Sequence, residues 1–445
     1  LATYPGIYSY DAYPQVLQIL GGEGLSAHHP LIHTFLLNGC LYAGHWLTGD
    51  YNTGMLIYTV VQIFFMASVF SYALDRMKVY KISLFIRVLS YLFLAFSPIN
   101  QIWVCLTTKD TIFGGLLLLV FLDIVDMVLD SEVFYSSKYR LARFIVLGIF
   151  MCLFRNQGIY LIFLAAPFLI WALKGYRKKC ALVLFAVVLS TKIFTGPISS
   201  WMGAKPANPR EALSVPIQQI ARVLVQEPDS VTDEEKEIIY RYLPEEYISQ
   251  YNASVSDAVK EGFNAKYFKE NPMPFFKVWA SVGLRNFSAY VDSFLYGSCG
   301  YFYTDYSPYW VQFILYDGSW TSEEFNFLKI ERNTLFPAYD NYLRKVSTEL
   351  IQEKIPVVSV ILNEAFPFLT LIFVGGYLFY IKRYKLLLPL LVIFGFWGTN
   401  LLGPVIVMRY AFPIVICVPS MVSLIFIQQK DKRLLLSKEK GKERL

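Results

Sequence analysis

The chain has 445 residues, 55% of them hydrophobic, 17% aromatic and only 17% charged, with a formal net charge of +6. Soluble globular chains carry about 25% charged residues, so this composition argues against a soluble enzyme, a disordered chain and a nucleic-acid binder. Charge is also segregated: residues 201–355 hold 21 of the 34 acidic and 15 of the 40 basic side chains, leaving the remainder apolar with basic loops.

In chain order, the opening LATYPGIYSYDAYPQ is loop-like and starts without an initiator methionine, so an upstream segment is expected before Leu1. Residues 30–47 (PLIHTFLLNGCLYAGHWL) are long enough to cross a bilayer. All four histidines (His28, His29, His33, His45) lie in or beside them, which predicts a helix on the outer membrane face instead. Nine apolar segments suit membrane helices: about 52–74, 82–99, 110–129, 141–154, 157–173, 180–196, 356–380, 386–403 and 410–428.

Basic side chains follow every second segment: Arg76, Lys78 and Lys81; Lys138, Arg140 and Arg143; Lys174, Arg177, Lys178 and Lys179; Lys382, Arg383 and Lys385; and then the tail at 429–445. The positive-inside rule makes that side cytoplasmic, so 1–50 and 197–355 lie outside. Six spans (51–196) then precede the outer segment and three (356–428) follow it. The sequence predicts an all-α polytopic membrane protein, multi-pass in the plasma membrane, with a mostly helical extracytoplasmic domain inserted at 197–355. Within that domain, helices are expected over 214–225, over TDEEKEIIYRYL behind a Thr232/Glu235 capping box, and over 257–269. A longer amphipathic one is expected over 274–296, either interfacial or a tenth crossing.

The informative residues violate the charge pattern. Lys109 (TTKDT), Arg155 (FRNQG) and Arg409 (VMRYAFP) fall in short outer turns. Snorkelling or local ion pairing, for instance of Lys109 with Asp110, is one explanation. An outward-facing site for an anion, most naturally a phosphate, is the other and the stronger. Asp11 stands near the membrane in the first outer loop. Asp123, Asp126 and Asp130 share a helix face and are expected to pair with cytoplasmic Arg and Lys. Glu364 lies within the outer half of a span. His29 and His33 are four apart, but Pro30 intervenes and no HExxH is present, so a metal is not indicated. The Tyr- and Trp-rich run 296–320 suits an interfacial belt or sugar stacking. The six cysteines form no CxxC, and no phosphate-binding glycine loop appears.

An outer-loop Asp, an HHPLIHT-type outer helix, the TKD, RNQG and MRYAFP turns, and one large outer domain before the last three spans together resemble the GT-C superfamily of integral-membrane glycosyltransferases. The likeness is to an uncharacterised bacterial branch. It implies a GT-C-like helical bundle that moves a sugar from a polyprenyl-phosphate donor to an acceptor hydroxyl on the extracytoplasmic face, inverting the anomeric centre without a cofactor. By the resemblance, Asp11 matches the catalytic acid and Arg409 the donor-phosphate contact, with Lys109 and Arg155 matching less closely. His28, His29, Asp110, Asn156, Gln157 and Tyr410 are candidate substrate contacts. The acceptor, whether glycan, lipid or protein, stays open. The Asp-Glu pair of O-mannosyltransferases, the WWDxG motif and a DxD are absent. A flippase or transporter of lipid-linked saccharides and an envelope polysaccharide polymerase are the alternatives.

Overall fold

All nine apolar segments contain helix in the computed structural model, which describes residues 1–9, 11–306 and 326–427. Among these residues there is no strand beyond isolated bridges. The longer helices of the first half are α1 (Ala12–Ile19), α2 (Leu31–Thr48), α3 (Tyr51–Val79), α4 (Leu84–Phe96), α5 (Lys109–Leu129), α6 (Lys138–Phe154), α7 (Gly158–Ala172) and α8 (Arg177–Ile193). Among the described residues four stretches are long and apolar enough to cross a membrane: Tyr51–Val79, Lys109–Leu129, Lys174–Trp201 and Met408–Phe426. Other apolar helices, such as α4 and α7 with 13 and 15 residues, reach only about 20–25 Å at ~1.5 Å per residue.

Helix α5 is the axis of the bundle: 89% of its apolar window is buried, against 22% for Lys174–Trp201. Thr108 caps its first turn, accepting from the Asp110 amide. At its far end Asp123 pairs with Arg143, and Asp126 pairs with Arg76 and accepts from the Tyr80 hydroxyl. Asp130 instead caps the next short helix, accepting from the Val133 amide at 3.2 Å. Helices α2 and α3 form a tight hairpin. A Cβ on Gly44 would lie 2.0 Å from the Gly54 nitrogen, so this approach requires glycine.

The inserted segment contains α9 (Ser214–Gln226), α10 (Asp233–Tyr242), α11 (Asp257–Glu261), α12 (Ala265–Glu270), α13 (Pro272–Arg285), α14 (Phe287–Tyr296) and α15 (Pro337–Thr348). Its own core gathers Ile217, Ile220, Ile239, Tyr242, Phe275 and Val282. The Thr232/Glu235 capping box forms as expected. Two expected helices are broken. The 257–269 stretch stops at Gly262 and restarts where Asn264 caps the Tyr267 amide at 3.1 Å. The 274–296 stretch divides at Asn286, whose amide bonds back to the Val282 carbonyl at 3.1 Å. It is therefore two helices rather than one, and its buried residues join the domain core.

The chain ends in α16 (Phe366–Tyr380), α17 (Leu390–Asn400), α18 (Met408–Val415) and α19 (Val418–Phe426). The expected helix over 356–380 is also interrupted. Asn363 accepts from the Ala365 amide at 2.8 Å, and Pro367 begins the next helix. Glu364 therefore occupies a buried turn rather than the interior of a span. The tail at 429–445 and residues 307–320 of the aromatic run lie outside the described residues.

Candidate functional site: a buried ion network

The site is built where the N-terminal loop meets the loop before α5. Ile7 pairs with both sides of this loop, its amide donating to the Cys105 carbonyl at 2.9 Å and its carbonyl accepting from the Thr107 amide at 3.0 Å. The Ser9 hydroxyl donates to the Thr107 carbonyl at 2.6 Å, and the Ser9 amide to the Thr107 hydroxyl at 2.7 Å. This clasp sets Asp11 beside Lys109, 98 residues away in sequence.

The segment before α18 is fixed separately. The Tyr301 hydroxyl donates to the Val405 carbonyl at 3.2 Å and accepts from the Val407 amide at 3.3 Å. Asn400 donates to the Tyr410 carbonyl at 2.7 Å. Arg409 then stands in the first turn of α18, against Asp11 and Asp110.

The network is dense. Arg409 donates Nη1 to Asp11 Oδ1 at 3.1 Å, Nη2 to Asp11 Oδ2, and Nε to Asp110 Oδ2 at 2.7 Å. Lys109 Nζ donates to Asp11 Oδ2 at 2.8 Å and lies 3.5 Å from His29 Nδ1. Arg155 Nη1 donates to Asp110 Oδ1 at 2.6 Å, and its Nε donates to Gln157 at 3.0 Å. The Arg155 guanidinium also lies against the Phe396, Tyr410 and Phe113 rings, 4.9, 5.1 and 5.8 Å from their centroids. Asp110 takes a further bond from the Thr108 hydroxyl at 3.0 Å.

The sequence-predicted cations therefore do converge, and the two acids join them together. Lys109 pairs with Asp11 rather than with its chain neighbour Asp110. Arg409 bridges both acids, whereas Arg155 reaches only Asp110. His29 is buried at the edge, and exposed His28 packs edge-on to it with ring centroids 4.7 Å apart. Tyr410 lies within 5.3 Å of Arg409. Asn156 is exposed and outside the hydrogen-bonded network. Among the described residues no group of His, Cys, Asp and Glu suits a metal ion.

Electrostatics favours a fully ionised Asp11. Burial works against its charge, but Arg409 and then Lys109 outweigh burial and hold the carboxyl well below the usual carboxylate range. His29 is pushed down to about 2, by burial first and Lys109 second, so it is neutral. Three basic side chains thus face two carboxylates among the described residues, more cations than anions in a buried place. Such a set is suited to an anion.

Sequence reasoning missed the support behind this cluster. Gln15 donates to the Asp11 carbonyl at 2.8 Å and lies 2.6 Å from His33 Nδ1. His33 Nε2 lies 2.8 Å from the Tyr58 hydroxyl, which donates to Gln62 at 2.9 Å. Gln62 in turn donates to the Val104 and Leu106 carbonyls at 3.0 and 2.9 Å. A glutamine in the middle of an apolar helix was the available signal.

The inserted domain borders the His28 edge, which stays exposed. Lys205 and Ala27 pair through a backbone bond of 2.8 Å, and the Glu211 carboxylate acts electrostatically on His28. The fold and site thus define an all-helical protein with a buried ion network at one end of its bundle. The chain belongs to a family of unknown function, DUF6020, whose family model matches residues 10–440. Neither the curated proteins nor the solved structures contain a match to it.

Proposed function

We propose that the chain is a polytopic membrane glycosyltransferase that moves a sugar from a polyprenyl-phosphate donor to an extracytoplasmic hydroxyl. Membrane placement is supported by the four long apolar helices and by large apolar side chains left exposed on them, among them Phe64, Leu182, Phe185 and Leu189. Arg76 and Arg143 lie at the end of the bundle opposite the site, which supports a cytoplasmic assignment for that end.

The observation that carries the chemistry is the convergence of Lys109, Arg155 and Arg409 on Asp11 and Asp110. A phosphodiester donor is an anion, to which such a set is suited. In the reaction the acceptor oxygen bonds to the anomeric carbon while the bond from that carbon to the phosphate oxygen breaks. The electron pair leaves with the phosphate, where Arg409 and Lys109 stabilise it. The acceptor proton passes to Asp11 as general base, and displacement from the opposite face inverts the centre. An anion transporter would use the same cations for entry. The network's position at one end, with separate pairs at the other, favours the enzyme.

Incubating membranes that contain the protein with a panel of polyprenyl-phosphate sugars, with products read by mass spectrometry, tests the proposal. Transfer from at least one donor is expected. Lipid-linked saccharide that crosses the bilayer intact would replace the reading with transport.

A further inference from the structure

Asp11 occupies both its oxygens on Arg409 and one of them also on Lys109. A phosphate at this site needs those same N–H groups. Asp110 is not in the same position. It is fully buried and held by Arg155 and Thr108 as well as by Arg409. The Lys109 side chain, at 12% exposure, is the most exposed of the cluster and lies near exposed His28, so a ligand approaching from outside would meet the Asp11–Lys109 edge first.

We propose that Asp11 and a ligand phosphate compete for Arg409 and Lys109, so that phosphate binding is what releases the Asp11 carboxylate to act on a hydroxyl. This rests on the transferase reading above. While two cations hold it, Asp11 has little affinity for a proton and is a poor base. When phosphate oxygens take the guanidinium and the ammonium, the carboxylate faces a neutralised pair and its proton affinity rises. The donor therefore binds first and creates the base, and the acceptor is deprotonated only in its presence. The balance of the step is unchanged: the hydroxyl proton goes to Asp11 and the electron pair of the broken bond goes to the phosphate.

Binding of undecaprenyl phosphate to the full chain in nanodiscs, with inorganic phosphate as the soluble arm, separates the outcomes. Competition predicts that Asp11→Asn, which removes the internal anion, binds the lipid roughly tenfold tighter than the wild type. A carboxylate that only holds Arg409 in place predicts weaker binding. A second measurement needs no variant: carbodiimide labelling of Asp11, mapped by mass spectrometry, should rise several-fold when the lipid is bound. Inorganic phosphate giving these changes where the lipid does not would keep the competition and assign it to a free anion. Lipid that binds while Asp11→Asn affinity and Asp11 labelling stay unchanged overturns the competition and leaves the transferase reading standing. Failure of both phosphates to bind overturns both.

Discussion

Arg409 is the residue on which the network turns, because among the described residues it alone bridges both carboxylates. Its planar fork presents two nitrogens to Asp11 and a third to Asp110. An ammonium cannot reproduce that geometry. Arg409→Lys is expected to insert and fold normally and to lower transfer about 100-fold, in line with the ~2–4 kcal/mol that a lost charge-stabilising donor costs. Asp11→Asn should abolish transfer, and turnover at the wild-type rate would show that Asp11 is not the base.

Protonation gives an independent handle on the same residues. Burial, then Lys109, pushes His29 down to about 2 and His33 down to about 3. An unfolded histidine takes up a proton below about pH 6.5, whereas these do not until far lower. Over that window the unfolded chain binds more protons, so stability is lost as pH falls from about 6.5. Linkage sets this at about 2 kcal/mol per histidine between about pH 7 and pH 5. The depressed Asp11 carboxyl contributes fully above the ordinary carboxylate range and loses that contribution only as pH falls through and below it, so it does not produce this slope. Thermal midpoints of the wild type should fall across the window and those of His29→Asn should fall less. A flat wild-type profile would contradict neutral, buried histidines.

Between residues and bundle, the element that matters most is α3, because Gln62 fixes the loop that delivers Lys109. Gln62→Leu leaves the Val104 carbonyl without its side-chain donor and the Leu106 carbonyl with the Thr108 amide alone, at about 1–3 kcal/mol for a buried group left unsatisfied. The expected result is a lowered melting midpoint together with weaker donor use, although Gln62 makes no contact with the ion cluster. Unchanged kinetics in a stable variant would remove the loop from the mechanism. Much at this scale was legible. Apolar runs marked helix existence, and the Thr232/Glu235 pair marked a helix start. The breaks at Asn264, Asn286 and Asn363 were not, because a side chain competing for backbone bonds is decided by its local geometry, not by hydropathy. Candidate cations stood out because charge in apolar turns is rare. Their pairing with Asp11 and Asp110 did not, because Asp11 and Arg409 are 398 residues apart and meet only in the folded chain.

For the whole molecule, the decisive quantity is which end of the bundle faces out. On the proposed topology the site end and the inserted domain share the extracytoplasmic side. The described contacts tie the two together: Lys205 pairs with Ala27 and Leu25, and Ser256 donates to the Pro404 carbonyl at 2.8 Å. Accessibility can therefore be read at two positions in the same chain. Asp233, whose side chain is fully exposed, lies on the domain, and Glu132 is exposed in the connection after α5. With Cys299 and Cys105 changed to Ser, single cysteines at these positions should behave oppositely towards a membrane-impermeant maleimide. The Asp233→Cys chain should label in intact cells, and the Glu132→Cys chain only after permeabilisation. The reversed pattern would put Asp11 and Arg409 on the cytoplasmic side, where the positive-inside argument fails and the donor must be sought in the inner leaflet. Labelling of both in intact cells would break the parity of the spans, and with it the assignment of the shorter apolar helices as crossings.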